Sequence, residues 1–412
     1  MIGEAMRKNR RATNPPAPWP EQRPGVTVVV ATYNRAPYLP DALRSILAQT
    51  VPPTRIVVID DGSTDGTVDA LAPFVDRVEY LRQENGGKAR ALNRVLPTVD
   101  TEFVWFFDDD DAAHPDAIES LIAPLRDNPA VAFSFGSFSE AHTQGPLLLA
   151  ERHAVPYPHG TLTGRLQRLA LFRACNIMMS GALLRTAAVR EIGGFDEGML
   201  RGQDYDMMIR LASRYEHRFC AKEVFVVRVH DAPRGPARES HTHVERGRIW
   251  AKYNARIGTR MMIQLPLAAF APDAGAPSSG AALRAALLTR AWAMATKLGT
   301  SVTVSDILSA FEADSRSPLT PPERQVLIEA FNHEFLSAQS HRAALRLLRL
   351  LRAPAARSAL MLLGKGLYWG ALNHASGWRK RMTSGLLGWT LYGAAYLASR
   401  GDRQPPTPGG AH

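Results

Sequence analysis

The stretch that most constrains this chain is Phe103-Val104-Trp105-Phe106-Phe107-Asp108-Asp109-Asp110-Asp111-Ala112-Ala113-His114-Pro115. Five apolar residues, all β-branched or aromatic, run straight into four consecutive aspartates. So short and apolar a run reads as a strand buried on both faces, as in a parallel sheet. Pro115 suits the first turn of a following helix, with Ala117, Ile118, Leu121 and Ile122 as its apolar stripe. The carboxylates therefore fall where a strand ends, the edge at which open α/β sheets bind ligands. Four adjacent carboxylates repel one another unless a cation or donor groups sit among them. A hard divalent cation that also holds a diphosphate meets that need; a solvated acidic turn is the plain alternative. If the backbone stays extended, Asp108 and Asp110 point one way and Asp109 and Asp111 the other.

The sequence before this stretch alternates strand and helix. Val26 to Ala31 and Arg55 to Ile59 are short β-branched runs, and Val78 to Leu81 is a third. Helices are expected at Leu39–Gln49, Val68–Phe74 and Ala89–Val95. The second run also ends in acids, Asp60-Asp61-Gly62-Ser63-Thr64-Asp65. Two strands ending in aspartate at one edge of a doubly wound, mostly parallel α/β sheet is the expected arrangement. Further strands are expected at Val131–Ser139, Asn176–Leu184 and Phe225–His230, with a helix at Met207–Ser213.

At 412 residues, with an apolar fraction of 45%, the chain can fill more than one core. The expected division is a disordered leader at 1–24, an α/β domain at 25–260, a linker at 261–282, a helical domain at 283–400 and a disordered tail at 401–412. Two cysteines, Cys175 and Cys220, argue against a disulfide scaffold and fit a reducing compartment. The N-terminal segment lacks the apolar core of a signal peptide. The net charge of +10 belongs to the flanks. Residues 283–412 hold 16 Lys/Arg against 7 Asp/Glu, and residues 1–24 hold 5 against 2.

Taken together, the motifs resemble the family 2 glycosyltransferases of GT-A fold, over roughly residues 26–235. These enzymes use a nucleotide-diphospho-sugar donor, usually a uridine one, and invert the anomeric centre. Val28-Val29-Val30-Ala31-Thr32-Tyr33-Asn34-Arg35 is similar to the family's opening strand and nucleotide loop. The resemblance implies Ala31 backbone and Tyr33 against the uracil, and Asp61 as acceptor of the uracil imide N–H. Asn85-Gly86-Gly87-Lys88 resembles the Gly-rich helix start, with Lys88 or Arg90 toward the diphosphate. The aspartate run matches the family's Asp-any-Asp element with Asp109 in the variable position. On that match Asp108 faces the ribose, Asp110 binds Mn²⁺ or Mg²⁺, and Asp111 assists. His230 resembles a family position near the metal or diphosphate. Asp204 is the expected general base, in Gly202-Gln203-Asp204-Tyr205-Asp206, where Gln203 replaces the more usual Glu and Asp206 is a possible substitute base. Ser180 and Gly181 are expected to leave room for the acceptor sugar.

The expected partners are a nucleotide-diphospho-sugar donor and a glycan or lipid-linked acceptor in surface or secreted glycan synthesis, with no nucleic acid. The helical C-terminal region lies outside the resemblance. Its Trp369, Trp378, Trp389, Tyr392 and Tyr396 stand among Arg379-Lys380-Arg381. That mixture suits peripheral contact with an anionic membrane, or a bundle with a basic surface. A cytoplasmic protein, associated with the inner face of the membrane, is the matching localisation. Two other functions share these features. A sugar-nucleotide nucleotidyltransferase needs a Gly-rich basic loop after the first strand, where this chain has Thr32-Tyr33-Asn34-Arg35. A non-catalytic membrane or polyanion adaptor need not keep the acids.

Overall fold

A computed structural model describes residues 23–126, 128–143, 153–155, 164–174, 177–230, 243–272, 277, 280–329, 345–352, 354–373 and 378–401. The expected leader, apart from its last two residues, and the expected tail, apart from residue 401, lie outside the described residues. The chain divides into two compact units: residues 1–164 with 175–242, and residues 165–174 with 243–412.

In the first unit, the run Val26 to Ala31 forms the middle of strand β1 (Arg23–Thr32). β2 (Arg55–Asp60) and β4 (Thr101–Asp108) flank it in parallel, and β3 (Glu79–Arg82) pairs parallel with β2. The register sets Ala31 opposite both Ile59 and Asp108, and Thr32 opposite Asp60. Both acidic strand ends therefore stand at the same edge. Val26, Val28 and Val30 share one side of the sheet with Phe103, Trp105 and Phe107. There they pack on helix α1 (Leu39–Leu47), through Leu39, Leu43 and Ile46, and on a later helix through Ile118 and Leu121. Each such side chain, fully buried, contributes about 1.5–3 kcal/mol. Helix α2 (Thr67–Ala70) is a single turn, and α3 (Lys88–Val95) buries Ala91, Leu92 and Val95.

After β4 the chain turns, adds the short edge strand β5 (Ala112–Ala113), and enters α4 (Ala117–Arg126). The remaining strands are β6 (Val131–His142), β7 (His153–Val155), β8 (Ala182–Arg185) and β9 (Glu216–Val229). The sheet order is β3-β2-β1-β4-β8-β6-β9-β5, with β7 on β6. The α/β class and the parallel first half agree with the sequence reading. Beyond β4 the ladders are mixed: β8 runs antiparallel to β4 and β6, and β9 runs parallel to β6. The cause is local. The chain enters β8 through the turn Met179–Gly181, whose Ser180 is bonded at the Asp108 end of β4. β8 must then run back against β4. The strand expected at 225–230 is the end of a much longer one. Helix α5 (Gly164–Arg173) precedes β8, α6 (Thr186–Glu191) follows it, and α7 (Gln203–Arg214) leads to β9.

The second unit is helical: α8 (His243–Gln264), α9 (Gly280–Ala295), α10 (Thr300–Ala313), α11 (Pro321–Glu329), α12 (Pro354–Asn373) and α13 (Trp378–Gly401). α5 belongs with it from Arg165 onward. Its core gathers Leu288, Val304, Ile307, Leu327, Leu360, Leu363 and Leu391. Residues 261–282 are not simply a linker. Residues 261–264 close α8, and a 3-10 turn follows at Leu267–Phe270. Phe270 is fully buried, 5.5 Å from the Phe172 ring, so apolar burial outweighs the Ala- and Pro-rich composition. Among the described residues, no helix is long and apolar enough to cross a membrane.

Candidate active site

β4 ends at Asp108, and residues 109 and 110 form a turn. The backbone N–H of Asp111 donates to the Asp108 carbonyl at 3.4 Å. This corrects the alternation expected from extended backbone. The turn gathers Asp108, Asp110 and Asp111, with one carboxylate oxygen of each within 4.8 Å of the others. Asp109 goes elsewhere, toward the Arg35 guanidinium at 4.0 Å.

Each member of the cluster is held. Lys88, the first residue of α3, donates to the Asp108 carboxylate. His230 Nε2 and Asp110 Oδ2 share a hydrogen bond of 3.0 Å, and the imidazole stacks on Tyr38 at 4.7 Å between centroids. Ser180 donates its hydroxyl to Asp111 Oδ2 at 2.9 Å and accepts from the Asp108 backbone N–H at 3.1 Å. Arg228 is completely buried. Its backbone N–H donates to Asp111 Oδ1, its Nε to the Asp110 carbonyl, and its Nη2 to Asp41 Oδ2 at 2.8 Å. It also lies over the Tyr38 ring at 4.9 Å. The sequence reading missed Arg228. Its signal was a lone cation inside the apolar run Phe225 to Val229, a position where charge persists only if paired.

The electrostatics follow from like charges brought together out of water. Burial, then the neighbouring Asp110 and Asp108 charges, push the Asp111 carboxyl well above the usual range. Burial and Asp110 push Asp109 up to about 7. Lys88 also gains proton affinity from its surroundings. Burial disfavours its charge, but Asp108 outweighs that, with help from Asp204 and Asp109, and holds the ammonium firmly protonated.

Asp204 sits in the first turn of α7, after Gly202 in the left-handed conformation (φ 67°). Its Oδ1 accepts from the Tyr205 backbone N–H at 2.8 Å. Burial raises its proton affinity, the Lys88 charge pulls it down, and Asp108 adds to the rise; the net direction is up. Asp204 therefore shares the electrostatic neighbourhood of Lys88 and Asp108. Asp206 is already engaged within the chain. It is buried, and its Oδ2 accepts from Arg210 Nε at 2.8 Å while Arg210 also binds the Ile192 and Gly194 carbonyls. That ion pair ties the loop before α7 to the helix.

Asp61 directly follows the end of β2. Its carboxylate accepts from Gln83 Nε2, Gly86 N–H and Gly87 N–H, all at 2.7–2.8 Å. It shapes the Gly-rich turn that starts α3, where Gly87 adopts φ 95°. Asp60 accepts from Ser63 N–H and from the Tyr80 hydroxyl at 2.7 Å. With burial, that bond pushes the Tyr80 phenol up to about 12. Ala31, next to last in β1, stands beside Asp108, and Tyr33 is 42% exposed in the following loop. Asn34, at φ 53°, locks this loop to the next, accepting from Thr64 N–H and donating its own N–H to Ser63 Oγ. A depression of about 630 Å³, lined by Gly62, Arg82, Gln83, Glu84 and Asn85, opens at the same sheet edge. Ser180 and Gly181 leave no room for a sugar. Ser180 is buried, and a Cβ at Gly181 would stand 2.7 Å from the Phe225 ring.

Three clustered carboxylates form a hard, all-oxygen donor set, which fits Mg²⁺ or Mn²⁺ and excludes any preference for a soft metal.

A sequence model described as "Glycosyl transferase family 2" matches residues 27–193, from β1 through the turn after α6. Residues 27–193 are thus similar to a family 2 glycosyltransferase domain. The matched segment contains Tyr33, Asp61, Lys88 and the aspartate run, while Asp204, Arg228 and His230 follow it. An uncharacterized glycosyltransferase of Rickettsia typhi is 30% identical over 219 residues, covering 51% of this chain and 65% of that protein. Glycosyltransferase GlyA of Streptococcus pneumoniae is 35% identical over 121 residues, or 28% of this chain and 17% of its own. The chain thus spans less than two thirds of the length of these curated relatives. Among solved structures, S. aureus TarS 1–349 in complex with UDP-GlcNAc is similar at 14% identity and a TM-score of 0.49, covering 90% of this chain and 92% of that one.

Proposed function

We propose that this domain is an inverting, metal-dependent family 2 glycosyltransferase that moves a sugar from a nucleotide-diphosphate donor, a UDP-sugar, to an acceptor hydroxyl. The observation that carries the reading is the convergence of Asp108, Asp110 and Asp111 within 4.8 Å at the sheet edge that also holds Lys88 and Asp204. Asp108, Asp110 and Asp111 would hold the divalent cation, and His230 would orient Asp110. When bound, such an ion neutralises the charge that develops on a departing diphosphate. Lys88 supplies a fixed positive charge to the same oxygens. Asp204 takes the proton from the acceptor hydroxyl as it attacks, and its raised proton affinity brings its basicity closer to working pH. Tyr33, exposed beside the end of β1, offers a flat face for the base. Asp61 positions the Gly86–Gly87 turn and with it Lys88. Ala31 contributes backbone at the nucleotide loop, and Asp109 lies behind the cluster with Arg35. The acceptor is a glycan or lipid-linked hydroxyl of surface polysaccharide synthesis, reached from the cytoplasmic side.

Thermal-shift measurement with a panel of nucleotide sugars, each with and without Mn²⁺, tests the reading. Stabilisation by a UDP-sugar that depends on Mn²⁺, together with a product of opposite anomeric configuration by NMR, is the expected result. If no nucleotide-diphospho-sugar stabilises the protein with any divalent cation, the reading is wrong.

A further inference from the structure

The second unit carries a feature that glycosyl transfer does not use. From residue 335 to residue 401 the sequence contains ten Lys/Arg and no Asp or Glu. Elsewhere the second unit pairs cations with carboxylates, as at Arg284 with Glu323 and Arg290 with Asp306. Here no carboxylate is present in the sequence to do so.

The same segment exposes aromatic side chains in a regular pattern. On α13, Trp389 is 65% exposed, and Tyr392 and Tyr396 follow at 38% and 41%. The spacings of three and four residues place all three on one strip of the helix. The two tyrosine rings are stacked, 6.3 Å between centroids and 10° between planes. The opposite side of α13 is committed to the core through Leu387, Leu391 and Ala395. On α12, Leu360, Leu363 and Leu367 face that core, while Lys365 and Tyr368 are exposed.

Two glycines bring these strips together. A Cβ on Gly364 would stand 2.6 Å from the Gly388 carbonyl oxygen and 2.8 Å from the Tyr392 nitrogen. A Cβ on Gly388 would stand 2.9 Å from the Tyr368 nitrogen. The helices cross at backbone contact, and the crossing sets Lys365 and Tyr368 beside Trp389 and Tyr392. Arg346 and Arg349, in the 3-10 turn that packs on α12, are also exposed.

We propose that the α12–α13 hairpin is a docking face for a bilayer of anionic phospholipid. Indole and phenol rings have an apolar body and a polar tip, which suits them to the headgroup boundary. Lysine and arginine around such rings are drawn to anionic headgroups, and the two effects reinforce each other in helices that lie along a membrane. Charge decides between occupants. A second copy of this chain would present the same acid-free surface, and two such surfaces repel. Neither helix is long and apolar enough to span, so the hairpin rests on the surface. Nothing here depends on the transfer reaction, so either reading can fail alone.

Flotation of the full chain with vesicles tests the proposal. Binding is expected to phosphatidylcholine vesicles holding about 30 mol % phosphatidylglycerol, and to fall at least about tenfold on phosphatidylcholine alone. Trp389→Ala should weaken binding by about tenfold and Lys365→Glu by less, each with unchanged circular dichroism, because both side chains are exposed. Trp389→Tyr should retain most of the binding. Failure to float, equal binding to neutral vesicles, or wild-type binding by Trp389→Ala would each overturn the proposal. So would a lipid-free dimer in analytical ultracentrifugation that Trp389→Ala abolishes, or retention on duplex DNA tighter than on the anionic vesicles.

Discussion

Both units of this protein bury ion pairs, and the first also buries like charges together. In the second unit the buried Arg284 meets carboxylates. Arg284, 1% exposed, donates to Glu323 Oε1 at 2.8 Å and lies 3.4 Å from Asp314. Arg290 grips Asp306 with two bonds of 2.7–2.9 Å. In the first unit carboxylates are packed against carboxylates at the end of β4. One residue type shows the difference. Asp314 is pulled down to about 2, first by the Ser317 hydroxyl and further by Arg284. Asp109 is pushed up to about 7 by burial and by Asp110. Where burial serves folding, the ions are satisfied within the chain. At the end of β4 like charges are left together, at a cost in stability that a bound cation would remove.

That contrast can be broken at its strongest point. Asp110→Asn removes one of the clustered charges and leaves an oxygen for His230. Transfer should fall by about a thousandfold or more, about 4 kcal/mol of transition-state stabilisation. The melting temperature in EDTA should stay level or rise, because a repulsion has gone. Measured together, retained transfer would remove Asp110 from the metal site, and a large fall in melting temperature would make the cluster structural after all. The matched change in the second unit is Arg284→Met. It strands Glu323 and should destabilise that unit by about 3–5 kcal/mol in urea unfolding. Adding Glu323→Leu should recover part of the loss, though not all. Glu323 also accepts from Thr320 N–H at 2.8 Å and caps α11. A cost for Arg284→Met below about 1 kcal/mol would erase the distinction between the two kinds of burial.

Much of the first unit was legible in its sequence because the apolar period and the acidic strand ends both report the same edge. Strands β1, β2 and β4 stand within a few residues of the expected runs, and both pairs of acids meet where parallel pairing requires. What could not be read was set by contacts distant in sequence. The turn at Asp109–Asp110 depends on Ser180 and Arg228, which are 72 and 118 residues away from Asp108 and Asp110 respectively. Four identical residues carry no signal of their own of which will diverge; the family resemblance set Asp109 apart as the variable position, and Arg35 is where it turns. Asp61 was legible as a strand-end acid, but its three donors come from residues 83–87. Gly181 reads as open space in a sequence, and only the Phe225 ring against it shows that it is a packing residue. In the second unit, composition pointed to a linker near residue 270, and a single buried phenylalanine overrides it.

The smallest expected effect lies where the two modes of burial meet, at Lys88, the cation placed among the carboxylates. Burial raises the proton affinity of Asp204, and the Lys88 charge opposes the rise. A general base must be deprotonated to act, so the acidic limb of kcat/KM should stand above the ordinary carboxylate range near pH 4. Lys88→Met takes away the opposing charge. Asp204 then holds its proton to higher pH, and the limb should move upward. Arg218→Met removes an exposed cation paired with Glu216, and it should leave the limb where it was. The pH profile separates this effect from lost donor binding, which would lower the plateau without moving the limb. If the limb stays fixed or moves down in Lys88→Met, the titrating base is not Asp204.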